Sequence, residues 1–214
     1  MANRIFDSDK EFRKFLKEKK LEELGEGSEA KVYLSNADGL VYKPLSFAKK
    51  NNVITMEDIS VSSFAFPIDL FLIKNSIVGY TSEYIYPDLF AKEEPVTRLR
   101  LAKLNLVKLQ KALEVFKKDT DILTKEHIEI DDLFSNLIFT GDRLVAIDTL
   151  SYRRRVDNVK ENNDDSVRYA IQELFNYWLQ FLNMERIENK NLDDYFAELE
   201  NVQRRLRKDY TNFY

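Results

Sequence analysis

The apolar residues of this 214-residue chain change their spacing several times, and each change marks an element. Phe12, Phe15 and Leu16 fall on one side of a helix. Ser8-Asp9-Lys10-Glu11 before them fits a capping box, in which a Ser oxygen and a Glu carboxylate satisfy free N–H groups of the first turn. This helix is expected to act as an N-terminal brace. Lys31–Leu34 and Leu40–Lys43 read as strands joined by the turn Asn36-Ala37-Asp38-Gly39. Residues 47–63 are weakly periodic. A β-rich run follows, with strands near 68–73 and 77–85 around a turn at Asn75-Ser76. Beyond Pro95, Leu99, Ala102, Leu106, Leu109 and Leu113 recur at helical spacing, and Leu104 and Val107 widen the stripe, predicting one long helix from about Thr97 to Lys118. Leu137-Ile138-Phe139 and Leu144–Ile147 flank Thr140-Gly141-Asp142-Arg143 and predict a second hairpin. Arg153–Arg155 and the polar run 156–166 read as an exposed loop, with Ser166 as the cap of a core helix over 167–182 that holds Trp178. A last helix is expected from about Asn191, with acids at its start and basic residues at 204–208 near its end.

A β-rich first part followed by a helix-rich remainder predicts an α+β fold. Composition removes several functions. Hydrophobic residues are 44%, charged residues 33% and the formal net charge is −4, so no general attraction to nucleic acid or an anionic membrane is expected. The absence of Cys excludes disulfides, Cys–zinc sites and thiol nucleophiles, and a single His excludes a multi-His metal site. No run approaches the ~18 apolar residues of a membrane span, and MANRIFDSDKEF lacks the apolar core of a signal peptide. A cytoplasmic location is the expectation.

The second hairpin carries the chemistry. Three polar side chains stand where its strands stop: Asp131, Asn136 five residues later and Asp148 twelve after that. Folding the hairpin returns Asn136 and Asp148 to one end, where an amide oxygen and a carboxylate can share a hard cation such as Mg²⁺. Asp131 beside them is free to accept a proton. Upstream, Gly25 and Gly27 open the first hairpin, where glycines let the backbone approach phosphate oxygens closely. Lys43, on the second strand of that hairpin, would aim its ammonium at the same phosphates.

Together these residues resemble protein kinases and their relatives. Gly25, Gly27 and Val32 match the glycine-rich loop GxGxxGxV, with Ala30 in place of the third glycine, and Lys43 matches the strand lysine. About 90 residues further on, DDLFSN fills the place of the HRDxxxxN loop and IDTL that of the DFG strand end. The resemblance implies a two-lobed fold, with a β-rich N-lobe over 1–90, a mainly helical C-lobe over 91–214 and a boundary near Pro87–Pro95. It implies ATP between the lobes and Mg²⁺ (or Mn²⁺) on Asn136 and Asp148. Lys43 would pair with the α/β-phosphates and Asp131 would act as the base; its neighbour Asp132 sits one place too close to Asn136. Leu24, Val32 and Val41 would roof the adenine and Ile138 would floor it. Backbone groups near Glu83 and Ile85 would bond its edge, with Ser82 as a small gatekeeper. The family's helix, with a carboxylate partner for the lysine, would fall within 47–63, and Glu57 or Asp58 would supply that carboxylate.

Departures from the family pattern shape the functional expectation. Glu129 and Ile130 replace the loop His and Arg, and His127 stands two places too early. Leu150 replaces the Gly of DFG, and no APE-like motif follows, so a peptide-docking platform would be reduced. Arg153–Arg155 are expected as a solvated basic turn. The function expected is transfer of the ATP γ-phosphate to a hydroxyl, on protein Ser/Thr or on a small molecule. The alternatives are a pseudokinase that binds nucleotide or a partner without turnover, and a purely structural α+β protein.

Overall fold

The computed structural model of the protein describes residues 3–27, 30–50, 53–86, 98–180 and 191–211. The fold is mixed α+β. Strand β1 (Arg4–Phe6) leads into helix α1 (Asp9–Glu18), followed by β2 (Glu22–Glu26), β3 (Lys31–Leu34), β4 (Leu40–Lys50), β5 (Leu70–Ile73) and β6 (Ser76–Glu83). These strands form one six-stranded sheet in the order β1-β5-β6-β4-β3-β2, antiparallel except for the β1–β5 pair. The cap of α1 is as expected on one side: Ser8 Oγ accepts from Glu11 N at 3.3 Å. The Glu11 carboxylate, however, accepts from Asp7 N at 2.8 Å, one residue before the N–H that a capping box uses.

Helix α1 determines which face of the sheet is which. Phe12 and Phe15 pack with Phe6, Tyr42 and Phe71, and the Tyr42 and Phe71 rings stack 5.9 Å apart. Side chains alternate along a strand, so burying Tyr42 under α1 turns Val41 and Lys43 to the opposite face. Lys43 pairs in register with Tyr80, which places both on that face. There Leu70, Leu72, Ile77 and Tyr80 form a second apolar cluster, closed from below by Leu150.

Two expectations about this half are corrected. Residues 47–50 belong to β4, and 53–63 hold only a turn at Met56–Asp58, so no helix lies in 47–63 among the described residues. β4 continues because it has partners on both sides: Leu45 bridges Ala30, and Lys49 and Lys50 pair with Ile77 and Ser76. Pro44 donates no hydrogen bond, and the register shifts between it and Lys49, so the strand bulges where a helix was expected to begin. The β5–β6 turn is Lys74-Asn75, one residue earlier than expected. Both residues have positive φ (47° and 65°), as a two-residue type I′ hairpin turn requires.

The helical half contains α2 (Arg98–Lys103), α3 (Leu106–Lys125), α4 (Val159–Gln180) and α5 (Leu192–Thr211). Four short strands lie between α3 and α4: β7 (Ile128–Glu129), β8 (Leu137–Phe139), β9 (Leu144–Ala146) and β10 (Arg153–Arg154). The single helix expected over 97–118 is broken at Leu104-Asn105. Asn105 is extended and its side chain caps Lys108 N at 3.1 Å, while Gln203 of α5 donates to the carbonyls of Leu101 and Leu104. The core of this half contains Leu109, Phe116, Phe175, Trp178 and Tyr195, together with Ile54, Ile59, Phe64 and Phe66 from the segment that follows β4. The expected boundary at 87–95 lies outside the described residues, as do Ser28 and Glu29 of the glycine-rich loop. No helix among the described residues is long and apolar enough to cross a membrane.

Gly79 shows how tightly α1 is seated. A Cβ there would lie 3.1 Å from the Lys43 carbonyl oxygen, from Phe12 and from Phe71. Gly79→Ala should therefore cost about 1–3 kcal/mol, seen as a lower urea midpoint at an unchanged m-value. An unchanged midpoint would mean that α1 does not pack this closely.

Candidate functional site

The β8–β9 hairpin brings its two ends together as expected. Leu137 pairs with Ala146, and Ile147 N donates to Asn136 O at 2.8 Å, which sets Asn136 and Asp148 side by side. The Asn136 amide nitrogen donates to Asp132 O at 2.9 Å, leaving the amide oxygen as the ligating end. Asp148 has φ 63° and ψ 50°, a left-handed conformation that side chains other than Gly adopt only under constraint. The constraint comes from both sides: the Ile147–Asn136 bond before it, and after it Thr149 Oγ1, which donates to Ala65 O at 3.1 Å, and Leu150, locked under the sheet. Leu150 stands where the family pattern has glycine, and it fills an apolar role that glycine could not.

Asp148 meets the sheet. Lys43 Nζ lies 3.4 Å from Asp148 Oδ1 and Tyr80 Oη donates to the same oxygen at 2.9 Å. The Lys43 side chain is 9% exposed and that of Asp148 is 44% exposed, so a buried ammonium reaches the inner edge of a carboxylate that opens to solvent. Burial lowers the Lys43 pKa, and the Asp148 charge and hydrogen bond pull it back up. Lys43 Nζ also sits 5.4 Å from the centre of the Tyr80 ring.

Asp131 and Asp132 are exposed at the start of the same loop. The phenol of Tyr152 is buried against Phe64 and Phe66. Burial holds it well above the ordinary tyrosine range, and the charges of Asp131, Asp148 and Asp132 push the same way. The strand leading to Asp131 is fixed by a residue that sequence reasoning missed. Asn163 is fully buried; its side-chain oxygen accepts from Ile130 N at 2.8 Å, and its amide donates to Ile128 O and Thr124 Oγ1, both at 2.9 Å. It lies in the polar run expected as a loop and capped by Ser166. From Val159 onward that run is instead the first two turns of α4, and Ser166 is inside the helix.

Of the expected nucleotide contacts, Ile85 and Ile138 come together with Ala65, Val145 and Ile147. Val41 is buried and Val32 half-buried, and the β3–β4 register places both on the Lys43 face. Leu24 is 40% exposed on the edge strand β2. Gly27 N donates to Ala30 O at 2.9 Å, closing the turn of the glycine-rich loop, and a Cβ on Gly25 would meet nothing within 4 Å. Ser82 is buried at the end of β6. The Glu83 carboxylate takes Arg143 from the β8–β9 turn at 3.1 Å, and Arg143 also donates to Ser62 O at 2.7 Å. A cavity of about 360 Å³ opens here between Tyr84, Tyr86, Thr140 and Asp142. A larger one of about 620 Å³, between His127 and the start of α4, touches none of the expected site residues.

Two peripheral expectations change. Arg153–Arg155 are exposed as expected but are not a turn: β10 pairs with β7, Arg153 and Arg155 both reach Glu129, and Arg154 pairs with Glu126. Glu57 lies in an exposed turn, and Asp58 is engaged with Thr55 N and Oγ1; the carboxylate beside Lys43 is Asp148. His127 is an exposed residue at positive φ (58°) where α3 ends.

No protein-family model matches the chain, and neither does any curated protein. The donor chemistry is therefore read from the site itself. Its side chains offer only oxygen, which fits a hard cation such as Mg²⁺ or Mn²⁺. Among the described residues no three His, Cys, Asp or Glu side chains converge as a metal set, so Asp148 and the Asn136 amide are the available ligands.

Replacing Asn163 tests how Asp131 is held. Asn163→Ala strips partners from the buried Ile130 N–H and Ile128 carbonyl and should cost about 2–4 kcal/mol. Amide hydrogen exchange at Ile130 should accelerate by more than the global loss explains; exchange that follows global stability alone would deny Asn163 this local role.

Proposed function

We propose that the protein is an ATP- and magnesium-dependent phosphotransferase of the protein kinase-like type. In this reading residues 1–90 form a β-rich N-lobe and 91–214 a mainly helical C-lobe, with ATP between them. The observation that carries it is the meeting of Lys43 with Asp148, 3.4 Å apart from opposite halves of the chain. A lysine, a metal-holding carboxylate and amide, and an exposed acid in this order are what phosphoryl transfer needs, because the reaction demands positioning and charge neutralisation more than covalent help.

Each residue then has a role. The loop at Gly25 and Gly27 covers the phosphates. The open space beside Gly25 shows that internal packing does not demand a glycine there, which suits a backbone approached by a ligand. Lys43 bonds the α/β-phosphate oxygens. Leu24, Val32, Val41 and Ile138 enclose the adenine, and backbone groups near Glu83 and Ile85 bond its edge. Asp148 and Asn136 would hold Mg²⁺ (or Mn²⁺), which supplies charge neutralisation at the β- and γ-phosphates. Asp131 orients the substrate hydroxyl and takes its proton as the hydroxyl oxygen bonds the γ-phosphorus. The bond from the γ-phosphorus to the β–γ bridging oxygen breaks, and ADP leaves. The acceptor is a protein Ser/Thr or a small hydroxylated molecule, in a cytoplasmic setting.

One observation favours a second reading, a pseudokinase that binds nucleotide or a partner without turnover. The helix that would bring Lys43 a second carboxylate is absent from the described part of 47–63. Incubation with γ-labelled ATP and Mg²⁺ or Mn²⁺ separates the readings. Wild type should transfer label to itself or to a generic protein acceptor, and Asp131→Ala and Asp148→Ala should each lose at least 100-fold, the scale of a general base or a metal contact. Label that persists in both variants sinks the mechanism. Nucleotide-dependent thermal stabilisation without labelling establishes the pseudokinase.

A further inference from the structure

Tyr80 belongs to no part of the mechanism above, yet it touches two of its members. It is 1% exposed, and its hydroxyl donates to Asp148 Oδ1 at 2.9 Å. Its ring lies 5.4 Å from Lys43 Nζ, within the range of a cation–π contact. The β4–β6 register makes this unavoidable, because Lys43 and Tyr80 are direct cross-strand partners on one face. Apolar packing against Leu70, Leu72, Ile77 and Leu150 would be met equally well by Phe. The hydroxyl is therefore the feature that packing leaves unexplained.

From this we infer that Tyr80 is a positioning residue for the cation site, a role that rests on the phosphotransferase reading. Asp148 Oδ1 receives two donors, Lys43 and Tyr80, while no described residue donates to Oδ2. With the Asp148 side chain 44% exposed, one carboxylate oxygen is pinned inward and the other is presented outward. Lys43 has a second task on this reading: its ammonium must turn to the phosphates when nucleotide arrives. The phenol has no such task. It keeps its bond to Oδ1 and holds the carboxylate in place while the lysine is away, so Oδ2 remains available to the cation. A neutral hydroxyl thereby keeps Asp148 oriented without adding charge to the site.

The inference is tested by binding, without turnover. Free Mn²⁺ is followed by its EPR signal as protein is titrated in the presence of saturating ADP, and metal-free ADP binding is measured separately by calorimetry. Tyr80→Phe should weaken Mn²⁺ binding in the ADP complex roughly tenfold, the scale of one hydrogen bond to a charged acceptor. Metal-free ADP affinity should change less than twofold. Equal Mn²⁺ affinity in wild type and Tyr80→Phe overturns the inference, as does an equal loss of Mn²⁺ and of metal-free ADP, which would mark a structural effect. Wild type that binds neither Mn²⁺ nor ADP fails the parent reading instead, and this inference with it. Site-specific 3-fluorotyrosine at position 80 restores a donor of the same shape, so it should return Mn²⁺ affinity to within twofold of wild type. A fluorotyrosine protein as weak as the Phe variant also overturns the proposal.

Discussion

A lysine side chain that is 9% exposed needs an anion beside it, because an ammonium stripped of water without a partner is not sustained in a folded protein. Lys43 finds its anion 105 residues away, in Asp148. Much of the architecture serves that meeting. Helix α1 buries Tyr42 and so turns Lys43 to the other face of the sheet. The β8–β9 hairpin and the left-handed backbone at Asp148 deliver a carboxylate to that face, and Leu150, packed among Leu70, Leu72 and Ile77, keeps it there. Burial lowers the Lys43 pKa, and the neighbouring Asp148 charge offsets only part of that loss.

The contact does not stand alone. The segment that follows β4 crosses from the sheet into the helical core, where Ile54, Ile59, Phe64 and Phe66 are buried. Asp119 of α3, 8% exposed, accepts from Ser62 N and Ser63 N at 2.9 and 2.8 Å. Ser63 O and Ala65 N then bond the two faces of Ala146, so the segment runs as an extra edge along β9. Arg143 at the hairpin tip fastens both Glu83 and Ser62 O. An exposed ion pair alone contributes little. Here the guanidinium joins three chain segments at once, and its geometry is set by the hairpin turn rather than by the pair.

Local signals carried the elements whose cause is local. Ser8 and Glu11 announced α1, the Asn36–Gly39 and Thr140–Arg143 turns announced two hairpins, and Asn191-Leu192-Asp193-Asp194 announced α5. Spacing around the second hairpin brought Asn136 and Asp148 to one end. What stayed hidden is what tertiary partners decide. β4 runs on past Pro44 because Ala30 and β6 both bond it, a fact no window of residues 45–50 contains. The run at 156–166 is polar on every reading of composition; its helical part, from Val159, is anchored where Asn163 satisfies the backbone at Ile128 and Ile130, and a buried Asn cannot be told from an exposed one by sequence. Asn105 carried the one overlooked local signal, an N-cap residue inside an apolar stripe that otherwise continued across it. Tyr80 required the β4–β6 register, which hydrophobic alternation does not supply.

The charge of the site adds a constraint on how it can work. One ammonium, Lys43, meets one carboxylate, Asp148, while Asp131 and Asp132 stand exposed at the start of the loop before Asn136. On the phosphotransferase reading, a polyphosphate that reaches Lys43 also approaches the Asp148 carboxylate, and in a partly buried setting like charges a few ångströms apart repel by several kcal/mol. A helix carboxylate beside Lys43, the arrangement the family resemblance implied, would deepen that repulsion. Tyr80 sets its ring beside the same lysine, donates its hydroxyl to Asp148 and adds no charge. On the phosphotransferase reading, a divalent cation held by Asp148 offsets this repulsion, so nucleotide and cation are expected to bind more tightly together than either does alone.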